Sequence, residues 1–155
     1  MDNSFMARAI QLSLDNVLSG KGGPFGAVIV KNGGIVAEGV NRVTATNDPT
    51  AHAEVVAIRQ ACAKLGAFEL KGCEIYTSCE PCPMCLGAIY WARMARIYFG
   101  NVASDASKIG FDDSFIYHEF ETSFPERSIP MVQMMREEAL AGLRAWQEKP
   151  NKIPY

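Results

Sequence analysis

No run in this chain approaches the ~20 apolar residues that a membrane span requires. Neither charge is in surplus: 15 Lys and Arg stand against 17 Asp and Glu, a formal net charge of −2, with an isoelectric point near 5.7. A basic surface is the usual footprint of a nucleic-acid binder, so a polyanionic partner is not expected. Internal repeats, low-complexity tracts and linker-like stretches are missing too. The 155 residues therefore read as one domain over 1–155, long enough to bury a proper core. The glycine-rich run Gly22-Gly23-Pro24-Phe25-Gly26 lacks P-loop spacing and no Lys-Ser or Lys-Thr pair follows it, which excludes a phosphate cradle of that kind. Met1-Asp2-Asn3-Ser4 is polar and acidic, so a signal peptide is not expected and a cytoplasmic location is. An even cysteine framework is also lacking. There are five cysteines, and Cys79, Cys82 and Cys85 follow one another at three-residue intervals. Such crowding reads as metal binding in a reducing compartment.

What is present alternates between helical and strand-like patterns. Phe5, Met6, Ala9, Ile10, Leu14, Val17 and Leu18 predict an amphipathic helix over 4–19, capped by Asn3 or Ser4 and ended by Gly20. Strands over 27–30 and 35–40 flank the turn Asn32-Gly33-Gly34, a hairpin signal. A polar loop over 44–48 leads to Asp48-Pro49, which reads as the opening of a helix reaching about residue 65, with Val55, Ile58, Cys62 and Leu65 as its buried stripe. A strand over 74–77, a helix over 83–92 and a strand over 96–100 follow. Beyond Gly100 the pattern predicts a helix over 112–120, a strand over 131–135, a helix over 137–147 and a tail over 150–155. The fold class is α/β: a three-layer α/β/α sandwich with a mixed sheet of about five strands flanked by helices.

Two polar knots stand out, Thr50-Ala51-His52-Ala53-Glu54 and Ser78-Cys79-Glu80-Pro81-Cys82-Pro83-Met84-Cys85. Cys82 and Cys85 share a face at a helix opening, where the macrodipole favours thiolates. His52 and Glu54 would point roughly 200° apart on an ideal helix. They converge only if the site lies beyond the helix end or the first turn is irregular. One nitrogen and two sulfurs leave a fourth tetrahedral position open, the arrangement of a catalytic zinc; structural sites use four protein ligands. Two thiolates oppose deprotonation of a zinc-held water, so a neighbouring base is needed, and Glu54 is the candidate. Cys79 leaves alternatives open: three cysteines at this spacing could ligate an iron–sulfur cluster, or close a four-ligand structural zinc site with His52. That would make the chain a zinc-binding interaction module without turnover. The joint pattern H-x-E and P-C-x-x-C matches the signature of zinc-dependent base deaminases.

His52-Ala53-Glu54 with Pro81-Cys82-Pro83-Met84-Cys85 resembles the cytidine-deaminase-like superfamily, in the branch that holds guanine deaminases and tRNA adenosine deaminases. Asn47-Asp48-Pro49-Thr50, Gly110-Phe111-Asp112-Asp113-Ser114-Phe115 and the terminal Tyr155 look most like the small bacterial guanine deaminases. The resemblance covers nearly the whole chain. It implies one Zn2+ per subunit held by His52, Cys82 and Cys85, with Glu54 as proton shuttle. It implies that Asn41 and the backbone near Ala53 hold the purine edge and that Phe25 and Trp91 wall the base. Asp113, or else Asp112, would contact the guanine amino group and assist proton transfer. The partners implied are guanine and water, and a second subunit. Residues 136–155 would form a helix and tail exchanged between subunits of a homodimer, with Tyr155 reaching the partner's site. The reaction implied is hydrolytic deamination of guanine to xanthine and ammonia. A tRNA adenosine deaminase, or a deaminase of guanosine, cytosine or another amino-heterocycle, is the alternative.

Overall fold

Period-two alternation builds a sheet with two apolar faces. In β1 (Gly26–Lys31) Val28 and Val30 serve one core, and Ala27 and Ile29 the other. The computed structural model describes residues 3–155; Met1 and Asp2, on which the expectation of no signal peptide partly rests, lie outside them. β2 (Gly34–Val40) returns antiparallel to β1 with a bulge at Ile29/Val30. The turn works as expected, with Asn32 and Gly33 both at positive φ. β3 (Cys73–Cys79) pairs antiparallel with the other edge of β1, and β4 (Arg96–Asn101) lies parallel to β3. The order is β2-β1-β3-β4.

The sheet is mixed, but among the described residues it has four strands rather than about five. The strand expected over 131–135 does not form. Met131 donates its N–H to the Phe124 carbonyl, and Met135 adopts a left-handed conformation that opens the next helix. Both features interrupt the extended run before a ladder can start.

Helices cover both faces. α1 (Asn3–Leu18) lays Phe5, Met6, Ala9 and Leu12 on Val28, Val30, Tyr76 and Tyr98. Its expected stripe is only partly buried: Ile10, Leu14, Val17 and Leu18 are exposed, because the helix approaches the sheet over the small Ala9 and presents a face rotated from them. α3 (Ala53–Leu65) and α4 (Pro83–Trp91) cover the opposite face over Ala27, Ile29 and Ile75. The result is the three-layer α/β/α arrangement.

α3 differs from the expectation in two ways. It opens at Ala53 rather than Pro49, because the Asp48 carboxylate accepts hydrogen bonds from the Thr50 N–H and hydroxyl and closes a turn ahead of the helix. Its buried face is Ala53, Ala57 and Ala61; Val55, Ile58 and Cys62 are half-buried and Leu65 is exposed. The cause lies in β2. A Cβ on Gly39 would sit 2.1 Å from the Ala53 carbonyl oxygen and 2.7 Å from the Ala57 nitrogen. Helix and strand backbones are in contact there, and only alanine fits between them.

The short helix α2 (Val43–Thr46) overlaps the expected polar loop over 44–48, and α5 (Ala103–Ser107) forms where the sequence pattern predicts no element. The chain divides into two compact units, Met1–Asp113 and Ser114–Tyr155. The second contains α6 (Ser114–Glu121), a 3-10 turn (Phe124–Glu126), α7 (Arg136–Glu148) and the tail. None of its residues is buried.

Candidate metal centre and active site

The ends of two helices meet above the β3 strand. His52 is the residue before α3, with φ −68° and ψ 156°, and Cys82 is the residue before α4, with φ −64° and ψ 167°. Both are extended rather than helical. That resolves the geometric problem posed by His52 and Glu54: His52 leaves the helical path, and Glu54 stays in the first turn. Pro83 takes the first position of α4, where no intrahelical N–H is required, and Cys85 follows on the inner face.

His52 Nδ1 lies 3.5 Å from Cys82 Sγ and 3.5 Å from Cys85 Sγ. All three ligand atoms fall within 4.8 Å of one another. A tetrahedral ion with bonds of about 2.3 Å to sulfur and about 2.0 Å to nitrogen would set nitrogen and sulfur about 3.5 Å apart. Zinc therefore fits the donor set as it stands. Among the described residues this is the one group of three His, Cys, Asp or Glu side chains that could hold a metal ion. Cys79 is not part of it. Its buried thiol lies 3.9 Å from the Val102 carbonyl, and burial pushes its pKa up to about 11.

The cluster's electrostatics call for a cation. A hydrogen bond from the Cys85 thiol, together with His52 and the Cys85 N–H, holds the Cys82 pKa down at about 4. The same contact with Cys82, then burial and the Glu54 charge, pushes the Cys85 thiol well up. Cys82 also raises the pKa of His52. The proton of the Cys85 thiol thus faces the Cys82 sulfur. A divalent cation would displace it and satisfy both thiolates.

Glu54 is 6% exposed, and that burial raises its pKa. Thr77 Oγ1 lies 3.1 Å from Glu54 Oε1 and 3.0 Å from the Cys79 carbonyl, so its single proton has two acceptors. Cys85 Sγ lies 3.4 Å from Glu54 Oε2. Thr77 was missed in the sequence, although strand alternation puts it on the same sheet face as Ile75, beneath α3.

Asn41 directly follows β2 and is buried, and its Oδ1 accepts a hydrogen bond from the Val43 N–H at 3.3 Å. That leaves Nδ2 as the group able to donate to a ligand. Ala53 is the first helical residue, with its N–H in the turn that a helix leaves unpaired. The Phe25 ring is half-buried and meets Phe111 edge-on at 5.0 Å. Phe111 carries no motif signal of its own beyond standing next to Asp112-Asp113. Asp113 is half-buried and Asp112 exposed. Burial, then the negative charge of Cys82, raises the Asp113 pKa.

Trp91 closes α4, six residues past Cys85 and so about 9 Å farther along the axis. It is 65% exposed, with the Arg93 guanidinium over its ring. Tyr155 lies in the second unit, edge-on to Trp146 at 6.4 Å. The structure thus brings His52, Cys82, Cys85, Glu54 and Thr77 into one cluster within the first unit.

A mixed sheet between helical layers, with an N,S,S cluster at two helix openings and a buried carboxylate beside it, defines a zinc-dependent deaminase fold. The chain belongs to the cytidine and deoxycytidylate deaminase zinc-binding family, whose model matches residues 1–101. It is 55% identical to a guanine deaminase of Bacillus subtilis over 152 residues, covering 98% of this chain and 97% of the relative. The crystal structure of a guanine deaminase from Bacillus subtilis superposes with a TM-score of 0.97 at 54% identity, over 100% of this chain and 99% of the other. A tRNA-specific adenosine deaminase of Agrobacterium fabrum is 48% identical, but over 77 residues, half of each chain.

Proposed function

We propose that this chain deaminates guanine hydrolytically to xanthine and ammonia, using zinc held by His52, Cys82 and Cys85. The observation that carries the substrate is the extent of the likeness. Guanine deaminase is matched end to end, including the residues beyond 101 where the family pattern stops. The tRNA deaminase likeness covers half the chain, and a formal net charge of −2 is not the basic balance usual for an RNA binder.

Zinc, when bound, brings the pKa of a water it holds toward about 7 and so supplies a nucleophile. The chain's own residues do the rest. Thr77 holds Glu54 through Oε1, and Oε2, on the side of Cys85 and the metal site, is the proton-carrying oxygen. Glu54 takes a proton from the attacking water and passes it to the purine ring nitrogen next to C2. Asp113 helps protonate the amino group that leaves C2 as ammonia. One water is consumed and one ammonia released per base. Asn41 Nδ2 donates to an acceptor on the purine edge, with the Ala53 N–H beside it. Phe25 and Trp91 flank the base, and Asp112 stands at the edge of the site.

A homodimer that exchanges residues 136–155, with Tyr155 closing the partner's site, belongs to the same reading, as does a cytoplasmic location. The absence of buried residues over 114–155 supports the exchange. Among the described residues, no helix is long and apolar enough to cross a membrane.

The test is Glu54→Gln. It should retain one zinc per chain and lose turnover of guanine by at least about 10²-fold. A zinc-loaded variant with near-normal ammonia release would remove Glu54 from its role.

A further inference from the structure

α1 is a packing helix along most of its length, yet it buries one polar side chain, Asn16, at 5% exposure. Both protons of the Asn16 amide are used. Nδ2 lies 2.9 Å from the Gly23 carbonyl and 2.9 Å from the Asn41 carbonyl. The Phe25 N–H donates to the same Gly23 carbonyl, and the Asn41 N–H donates to the Phe25 carbonyl, at 2.9 Å and 3.1 Å. Asn16, Gly23, Phe25 and Asn41 thus form a closed ring of hydrogen bonds. The ring contains the backbone of two of the residues proposed to hold the base, Phe25 and Asn41. The fit is tight: a Cβ on Gly22 would sit 2.3 Å from the Asn41 carbonyl oxygen and 2.9 Å from Asn16 Nδ2.

We infer that Asn16 is a positioning residue for the purine base, setting Asn41 and the Phe25 loop in register for binding. This rests on the base-holding role proposed for Asn41. Asn16 itself touches no substrate. A short amide suits the task because it offers two donors from one atom, and the two carbonyls it joins come from different loops. An apolar side chain there would leave the Asn41 carbonyl buried without its donor, and the end of β2 would shift to find another.

The experiment is a double-mutant cycle on the zinc-loaded enzyme with guanine, reading KM, kcat, zinc content and Tm for Asn16→Ala, Asn41→Ala and the double variant. Asn16→Ala should raise KM roughly tenfold or more while kcat stays within about threefold and zinc stays bound. The double variant should have the KM of Asn41→Ala alone, because Asn16 acts through Asn41. Asn16→Ser, which retains one donor, should fall between Asn16→Ala and the parent. A lowered Tm with unchanged KM, or single effects on KM that multiply in full, would overturn the inference. So would failure of both Asn16 variants to fold, which would make the residue structural. A raised KM in Asn41→Ala with none in Asn16→Ala overturns the coupling alone. An unchanged KM in Asn41→Ala, or a parent inactive on guanine, overturns the underlying reading with it.

Discussion

Glu54 is an ionisable group held where charge is costly, and its behaviour depends on the few atoms that touch it. The Thr77 hydroxyl lies 3.1 Å from one carboxylate oxygen. Removing it leaves that oxygen, and the Cys79 carbonyl, short of a donor. Thr77→Val keeps the shape and removes the hydroxyl. It should lower kcat on guanine by roughly tenfold while zinc content is unchanged, as expected for one buried hydrogen bond to a carboxylate. Unchanged kinetics would mean that Glu54 is fixed by other groups. The neighbouring carboxylates differ in the same way. Asp113 is half-buried within reach of the Cys82 charge, while Asp112 is exposed. Asp113→Ala should therefore reduce turnover roughly 10²-fold more than Asp112→Ala; the reverse result would exchange their roles. At this scale the grouping of His52, Cys82 and Cys85 into a possible metal site was legible, because cysteine and histidine at fixed spacing admit few other uses. Thr77 and Phe111 were not, because threonine in a strand and a phenylalanine in a loop have many. Their roles come from contacts between residues far apart in the chain.

The elements place these atoms by backbone contact more than by large side chains. α3 carries His52 at its cap and Glu54 in its first turn, and it lies on β2 at Gly39 with no room for a methyl group. Gly39→Ala would force the helix opening away from the sheet and spread the donor set. The cost should be at the upper end of overpacking, about 3 kcal/mol, measured by chemical denaturation. Zinc affinity should fall in parallel; a variant that binds zinc as tightly as the parent would show that α3 can move without disturbing the site. The same contact explains an error of pattern reading. Hydropathy ranks Val55, Ile58 and Leu65 above alanine, so the apolar stripe looks rotated from the face that is buried. Close backbone approach selects the small residues instead, and a one-dimensional pattern does not show how near the partner lies. The late start of α3 has a similar origin. Asp48-Pro49 suits a helix opening and a turn equally, and hydrogen bonds from Thr50 to Asp48 decide for the turn.

For the whole molecule, the contrast between the two units is the informative feature. The core lies within the first unit, where the expected hairpin, the strand-helix-strand alternation and the three layers all formed. From 114 to 155 no residue is buried, and Phe120, Ile129, Val132, Met134 and Leu143 are each more than 60% exposed. Periodicity located α6 and α7 within two residues of their ends but not the role of what lies between them. A segment without a buried face in its own chain gives a weak pattern, and the expected strand over 131–135 was lost there. The exchange proposal makes this apolar surface an interface. Deleting Pro154-Tyr155 should lower kcat/KM for guanine roughly tenfold while Tm moves by about 2 °C or less. Mixing that truncated chain with full-length Glu54→Gln should restore activity, since each intact site could then receive a whole tail from its partner. No recovery after subunit mixing would argue against exchange.

The most direct measurement is ammonia release by the zinc-loaded protein from guanine, guanosine, adenine, cytosine and a tRNA anticodon stem-loop at equal concentration. Guanine should be turned over at least about 10²-fold faster than any other substrate, with xanthine formed in equal amount to ammonia. Faster release from the stem-loop, or no release from guanine, would contradict the account.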